Sequence, residues 1–265
     1  MKKYLLIIII TACICLLGLC YAGYSFSWGP LSFLGNLRVA NLPGNADEYN
    51  MDTVDRLEDN PLEGKRVLFL GSSVTFGSAS RQQGIPEYFG ARFGCEYTKE
   101  AVSGTTLVDN GRGSYVQRLI NNVDKSKDYD LMICQLSTND ATNNLPLGEI
   151  SDSKNLEDFD TSTIVGAMEY IICYAKTTWD CDVMFYTGSR YDSRAYAKMV
   201  EQVLLLEEKW GIEVLDLWNS DEFNNIPTTD RKLYMNDDIH PTKAGYRNWW
   251  CPEIERQLLA FYSNK

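Results

Sequence analysis

The chain has 265 residues, 45% of them hydrophobic and 23% charged, which excludes a collagen-like, low-complexity or largely disordered protein. Lysine and arginine total 25 against 36 aspartates and glutamates, and the net charge of −11 argues against nucleic acid as a partner. A single histidine, His240, excludes zinc sites built from several histidines. Any imidazole chemistry therefore depends on His240.

Residues 1–23 form an apolar leader. Two lysines precede an uncharged run from Tyr4 to Tyr21, a pattern typical of an export signal or a membrane anchor. Three fates stay open: retention as an anchor, cleavage after Ala22, and lipidation at Cys13. The positive-inside rule places the remaining chain outside the cytoplasm. We therefore expect an extracytoplasmic protein that is anchored at the cell surface or secreted.

Five of the eight cysteines lie outside the leader, and none of them forms a C-x-x-C motif. An odd number cannot all pair internally, and this spacing favours small buried hydrophobic residues over a metal site or a disulfide framework. These cysteines are Cys95, Cys134, Cys173, Cys181 and Cys251.

After the leader, residues 24–64 read as a tether followed by a segment packed on the domain surface, and residues 65–265 as one domain. In that domain short apolar strands alternate with helical stretches, which predicts a three-layer α/β/α sandwich around a parallel sheet of five strands. The predicted strands are Arg66–Leu70, Glu96–Ala101, Leu131–Gln135, Asp182–Tyr186 and Glu213–Leu217. The predicted helices are Pro86–Phe93, Ser114–Val123, Ser162–Thr177, Ser193–Trp210 and Thr242–Tyr262.

Reactive groups in such a sheet gather at the carboxyl ends of its strands. The first strand runs directly into Gly71-Ser72-Ser73, which places a serine hydroxyl at that edge. Serine is a weak nucleophile unless a base takes its proton and an acid orients the base. This turn therefore gains meaning only together with a histidine and a carboxylate elsewhere in the chain.

Those partners occur near the end of the chain. Asp237 stands three residues before His240, a spacing that lets the carboxylate fold back across a tight turn and accept the Nδ1 hydrogen. The Nε2 atom is then free to take a proton from serine. Asp238 is the rival carboxylate, and we expect it at the surface because adjacent side chains usually diverge.

Acyl transfer also needs hydrogen-bond donors for the oxyanion, and each preorganised donor is worth ~3 kcal/mol or more. Two segments after predicted strands supply candidates. Gly104 follows the second strand and lets the backbone N–H approach a ligand closely. Asn139 follows the third strand and carries a side-chain amide.

Taken in chain order, these four segments resemble the blocks of the SGNH hydrolases, the GDSL esterase and lipase family, over Lys65 to Tyr262. The resemblance puts Ser73 in the nucleophile position, with its amide in the oxyanion hole beside Gly104 and Asn139. Asp237 and His240 match the D-x-x-H of the last block. The resemblance also implies a flavodoxin-like fold with strand order 2-1-3-4-5 and no cofactor.

The chain departs from the family pattern at two positions. Ser72 replaces the usual aspartate before the nucleophile, and Ser137 replaces the glycine two residues before Asn139. Neither position carries chemistry directly, so the departures bear on the rigidity of the loops and the shape of the substrate. The G-S-S-V-T loop resembles that of carbohydrate-esterase-like members.

We therefore expect a serine esterase that hydrolyses a small acyl ester, an acetyl group on a carbohydrate, through an acyl-enzyme intermediate. The extracytoplasmic placement, the acidic surface and loop aromatics such as Trp218 favour a sugar substrate, although Trp218 fits a core position equally well. The alternatives are a lipase or lysophospholipase of the same family and a surface binding protein without activity. An α/β-hydrolase is disfavoured because the chain lacks G-x-S-x-G, and metal-dependent hydrolysis because it has one histidine.

Overall fold

The computed structural model describes residues 2–26 and 29–265. Met1, Ser27 and Trp28, which belong to the predicted leader and tether, lie outside the described residues. The strands are β1 (Arg66–Gly71), β2 (Glu96–Ala101), β3 (Leu131–Gln135), β4 (Asp182–Tyr186) and β5 (Glu213–Leu215). They form a sheet of order β2-β1-β3-β4-β5 in which every neighbouring pair is parallel. The predicted fold class and strand order are confirmed.

Helices of very different lengths connect and flank these strands. The α-helices are α1 (Lys2–Phe26), α2 (Leu34–Ala40), α3 (Ser73–Phe76), α4 (Ile85–Phe93), α5 (Tyr115–Asn121), α6 (Thr138–Thr142), α7 (Ile164–Trp179), α8 (Arg194–Trp210), α9 (Asp221–Asn224), α10 (Thr228–Tyr234), α11 (Lys243–Gly245) and α12 (Cys251–Ser263). Short 3-10 turns cover Pro43–Asn45, Asp47–Tyr49, Met51–Thr53 and Leu156–Asp158.

Two apolar cores lie on the two faces of the sheet, because successive side chains of a strand point in opposite directions. In β1, Leu68 and Leu70 join the core covered by α5, α7 and α8. Val67 and Phe69 join the core covered by α4 and α12. Every β1 residue from Val67 to Gly71 is buried, which is typical of a central parallel strand.

Local signals define the long helices at their ends. Ser193 caps α8 by accepting a hydrogen bond from the Tyr196 N–H, and Gly211 ends it in the left-handed conformation at φ 57°. Thr163 caps α7 in the same way through the Gly166 N–H. These caps explain why both predicted helices start within two residues of the observed positions.

Two of the differences between the predicted and the observed boundaries have a clear structural cause. Strand β5 ends at Leu215 instead of Leu217, because the N–H groups of Leu217 and Trp218 donate to Thr187 Oγ1 rather than to a strand. The predicted helix Thr242–Tyr262 is interrupted by a π-helical turn at Tyr246–Trp250, which joins α11 to α12.

The amino-terminal part begins with α1, whose Lys3–Ser25 stretch is long and apolar enough to cross a membrane and is not buried in the protein. A signal sequence meets the same criteria. Helix α2 packs against α1, and the 3-10 turns that follow pack on the domain. Met51 and Leu62 from this region are 1% exposed and belong to the core beside α4.

Candidate active site

Ser73 lies at the turn between β1 and α3, at the carboxyl edge of the sheet. It is the first residue of α3 and is 7% exposed. The buried Gln135 at the end of β3 anchors this turn: its Oε1 accepts from the Ser72 N–H at 2.9 Å, the Thr75 N–H at 3.1 Å and Thr75 Oγ1 at 2.9 Å. Because these donors are buried, their satisfaction by one amide fixes the turn.

The Asp237–His240 segment is a tight hairpin at the same edge. The Asn236 N–H donates to the His240 carbonyl at 2.9 Å, and Met235 and Pro241 form an antiparallel bridge below it. Within the hairpin, Asp237 Oδ1 accepts the N–H groups of Ile239 and His240, each at 2.9 Å. The backbone thus folds the carboxylate toward the imidazole.

Three side chains meet in a line. His240 Nε2 lies 2.8 Å from Ser73 Oγ, and His240 Nδ1 lies 2.9 Å from both Asp237 oxygens. With Nδ1–H donating to the carboxylate, Nε2 is the acceptor for the serine hydroxyl. The arrangement can therefore move a proton from Ser73 to the imidazole.

Electrostatics keep Asp237 ionised. Burial favours the neutral acid, but the hydrogen bond from His240, the charge that its ring carries once protonated, and the N–H groups of Ile239 and His240 outweigh it. Together they hold the pKa of the Asp237 carboxyl well below its ordinary value. Asp238 is exposed, and Asp237 is the carboxylate that contacts the imidazole.

Asn139, in the first turn of α6, adjoins the loop that carries Gly104. Its Nδ2 donates to the carbonyl of Thr105 at 2.9 Å, which ties α6 to that loop and leaves the second hydrogen available. Gly104 has φ 80°, a conformation that favours glycine. Among the described residues, the N–H groups of Ser73 and Gly104 have no acceptor, so both remain available to a ligand.

The two departures from the family pattern are buried and hydrogen-bonded. Ser72 Oγ accepts from Gln135 Nε2 at 3.1 Å. Ser137 Oγ caps α6 by accepting from the Asn139 N–H at 3.2 Å, and it donates to the Thr105 carbonyl at 3.3 Å. Both serines therefore contribute to the rigidity of these loops.

Three supporting residues escaped the sequence analysis. Gln135 holds the serine turn as described above. Arg118 is 2% exposed and donates to the carbonyls of Gly71 and Glu100 at 2.7 and 2.8 Å, which joins the ends of β1 and β2. The sequence does not indicate the role of Gln135 or Arg118, because a polar residue inside a strand or helix cannot be distinguished from an exposed one until its hydrogen-bond partners are known.

Asp140, directly after Asn139, is also one of these residues. It has no exposed surface, and its two oxygens accept the N–H groups of Leu107 at 2.8 Å and Val108 at 3.0 Å. Burial raises the pKa of this carboxyl, although hydrogen bonds from Ser137 and the backbone oppose the shift. Asp140 thereby fixes the loop that carries Gly104.

A small cavity lies beside the chain neighbours of the serine and the histidine, although neither Ser73 nor His240 lines it. Val74 and Ile239, the neighbours of Ser73 and His240 in the chain, contribute to its wall. Its free volume is about 10 Å³, enough for roughly one water molecule. The rest of the wall consists of Gln135, Leu136, Thr138, Tyr186, Gly188, Ser189, Tyr191, Tyr196 and Trp250.

The structure also shows the environment of Trp218 and of the cysteines. Trp218 is a core residue, 8% exposed, with its ring centroid 5.4 Å from that of Tyr191 and 5.0 Å from that of Tyr196. All eight cysteines belong to the described chain and are free, and the five outside α1 are buried. Over residues 2–26 and 29–265, no group of three or more His, Cys, Asp or Glu side chains is placed to hold a metal ion.

Comparison with known proteins identifies the family. The model of the GDSL-like lipase/acylhydrolase family matches residues 69–247. No curated protein sequence gives a significant match. Solved structures resemble the chain in fold at low sequence identity.

Three of these structures illustrate the likeness. A Lactobacillus plantarum protein is 19% identical with a TM-score of 0.61, covering 76% of this chain and 98% of its own. A protein assigned to the G-D-S-L lipolytic family from Desulfitobacterium hafniense is 17% identical with a TM-score of 0.54, covering 72% and 98%. An acetyl xylan esterase is 16% identical with a TM-score of 0.51, also covering 72% and 98%.

The lowered pKa of Asp237 predicts a pH-dependent contribution to stability. A carboxylate with a lowered folded pKa stabilises the fold above its unfolded pKa of about 4, and this contribution is lost as the pH falls through the folded pKa. We expect the difference in unfolding free energy between wild type and Asp237→Asn to be largest above about pH 4. Urea unfolding at a series of pH values measures it. A difference that grows below that pH would contradict the assignment.

Proposed function

We propose that this chain, which belongs to the GDSL-like lipase/acylhydrolase family and is an ester hydrolase, cleaves its substrate with Ser73 as the nucleophile. The observation that carries the proposal is the line of contacts from Ser73 Oγ through His240 to Asp237, at 2.8 and 2.9 Å. A serine, an imidazole and a carboxylate at these distances are the groups that serine acyl transfer requires.

In this mechanism His240 Nε2 takes the hydroxyl proton while Ser73 Oγ attacks the ester carbonyl. The ionised Asp237 holds the ring through Nδ1 and stabilises the imidazolium that forms. The tetrahedral intermediate collapses as His240 returns the proton to the departing alcohol, which leaves an acyl group on Ser73. Water activated by His240 then attacks that acyl group and releases the acid.

The oxyanion of each tetrahedral intermediate needs donors that are already in place. The N–H groups of Ser73 and Gly104 and the remaining Nδ2 hydrogen of Asn139 are proposed for this role. Their loops are held by Gln135, Arg118 and Asp140, so the donors do not have to reorganise during the reaction.

The small cavity supports a short acyl group. A methyl group is close in size to the one water molecule that about 10 Å³ admits. A longer chain would exceed this volume, and the cavity wall includes Leu136 and Trp250, which are each 1% exposed and packed in the cores. We therefore assign an acetyl ester to this site.

A carbohydrate is proposed as the alcohol part. One fold relative is an acetyl xylan esterase, and the apolar helix α1 is compatible with export or membrane attachment. The net charge of −11 disfavours anionic phospholipid as a substrate. Trp218 lends no support, because it is buried.

Replacement of the nucleophile tests the mechanism. Ser73→Ala is expected to abolish hydrolysis of an acetyl ester and labelling by a fluorophosphonate probe, since the hydroxyl oxygen is the attacking atom. Matched replacement of the neighbouring Ser72 by Ala should keep labelling, because its hydroxyl binds Gln135. The test measures the rate of acetyl ester hydrolysis and the extent of probe labelling for each purified variant. Activity retained in Ser73→Ala would refute the nucleophile.

Adjacent aspartates provide a paired test of the orienting acid. Asp237→Asn should lower kcat by roughly 100-fold or more, because an asparagine neither fixes the required tautomer nor stabilises the imidazolium. Asp238→Asn should change kcat by less than about twofold, because this exposed side chain does not contact His240. Equal losses in the two variants would remove Asp237 from the mechanism.

Acyl specificity tests the cavity. We expect kcat/KM for acetyl esters to exceed that for octanoyl esters by at least roughly tenfold. Leu136→Ala should narrow this ratio by widening the cavity, whereas Leu119→Ala, a core control away from the cavity wall, should leave the ratio unchanged. Assays on acetylated sugars and on esters of increasing chain length measure it. A preference for long chains would favour a lipase over the acetyl esterase.

A further inference from the structure

The segment between the apolar helix and the domain packs against the loop that carries Asp237 and His240. Asn45, which is 1% exposed, donates through Nδ2 to the carbonyls of Val39 at 2.7 Å and Ala79 at 2.8 Å. Its Oδ1 accepts from the Lys243 N–H at 2.9 Å, three residues beyond His240. Sequence alone assigned no role to this segment.

One side chain of that segment reaches the hairpin itself. Arg38, in α2, donates from Nη1 to Asn236 Oδ1 at 2.9 Å. Asn236 Nδ2 in turn donates to Asp237 Oδ2 at 2.8 Å. A continuous series of hydrogen bonds therefore runs from α2 through Asn236, Asp237 and His240 to Ser73.

Arg38 and Asp237, which flank Asn236, determine the orientation of its side-chain amide. Arginine only donates and a carboxylate only accepts, so Asn236 must turn its oxygen to Arg38 and its nitrogen to Asp237. Rotation of the amide would place a donor against a donor and an acceptor against an acceptor. Arg38 thus holds the donor that faces the carboxylate.

That donor acts on the less supported oxygen of Asp237. The Oδ1 atom accepts the N–H groups of Ile239 and His240, and so is held by the backbone of the hairpin. The Oδ2 atom receives Asn236 Nδ2 besides the imidazole. Because His240 Nδ1 lies 2.9 Å from both oxygens, the setting of Oδ2 influences the angle at which the ring meets Ser73.

We propose that Arg38 is a positioning residue for catalysis: through Asn236 it sets the orientation of Asp237 and His240. The inference rests on the proposed function in that it takes Asp237 and His240 as the catalytic pair. It gives the segment after the apolar helix a role in turnover. Arg38 itself does not touch the substrate or the reacting atoms.

The kinetic test uses the full chain, purified in detergent. Arg38→Ala and Asn236→Ala should each lower kcat for an acetyl ester by roughly tenfold, the scale of one hydrogen bond to a charged group, with KM unchanged. The double variant should be no worse than Asn236→Ala, because both residues act through one contact. Arg56→Ala is the matched control, since this arginine of the same segment pairs with Glu63 at the surface.

The imidazole provides a readout that does not depend on turnover. Because His240 is the only histidine, ¹⁵N labelling of histidine reports on a single imidazole, and both ring resonances, Nδ1 and Nε2, belong to His240. In wild type the Nδ1–H proton should be protected by its bond to Asp237. It should exchange faster with water in Arg38→Ala and Asn236→Ala, and stay as in wild type in Arg56→Ala.

The outcomes separate the two proposals. If Arg38→Ala matches Arg56→Ala in both kcat and the Nδ1–H signal, the positioning role is overturned. If Ser73→Ala keeps full activity while Arg38→Ala still changes the imidazole signal, the proposed nucleophile fails and the positioning of the ring stands. Should Arg38→Ala not fold, Asn236→Ala carries the same test with α2 intact.

Discussion

The hydrogen bond between Ser73 Oγ and His240 Nε2, 2.8 Å long, joins residues 167 positions apart, and the site depends on it. Ser73 is placed by the end of β1, whereas His240 is placed by a hairpin that precedes the last helices. A second long-range contact aligns them, since Tyr246, buried in the π-helical turn, donates to the Val74 carbonyl at 2.6 Å. The helix after the histidine is thereby bound to the residue after the serine.

Buried polar side chains hold the loops around this contact by hydrogen bonds. Gln135, Arg118 and Asp140 each satisfy several backbone groups at the carboxyl edge of the sheet, where loops would otherwise leave donors and acceptors unpaired. A buried polar group without a hydrogen-bond partner destabilises the fold, whereas a fully bonded one makes its surroundings rigid. The edge therefore presents fixed dipoles to a ligand, which is the condition for electrostatic stabilisation of an oxyanion.

The amino-terminal segment adds a connection that the domain fold does not require. Arg38 contacts Asn236, directly before the Asp237–His240 hairpin, and Asn45 accepts the Lys243 N–H, three residues after His240. Since α2 also packs on α1, the apolar helix and the proposed catalytic pair are linked by a short series of contacts. The apolar helix and the proposed catalytic pair are thus joined through α2.

Local patterns in the sequence determined most of the strands, the sheet order through the resemblance, and the four segments that meet at the site. The Asp237 to His240 spacing could be interpreted because three residues close a tight turn whatever surrounds them. Tertiary packing alone decided that Trp218 is buried, that Gln135 holds the serine turn and that Arg38 binds Asn236, 198 positions away. Hydropathy and spacing carry information over a few residues, whereas the partner of a polar side chain depends on which distant segment packs beside it.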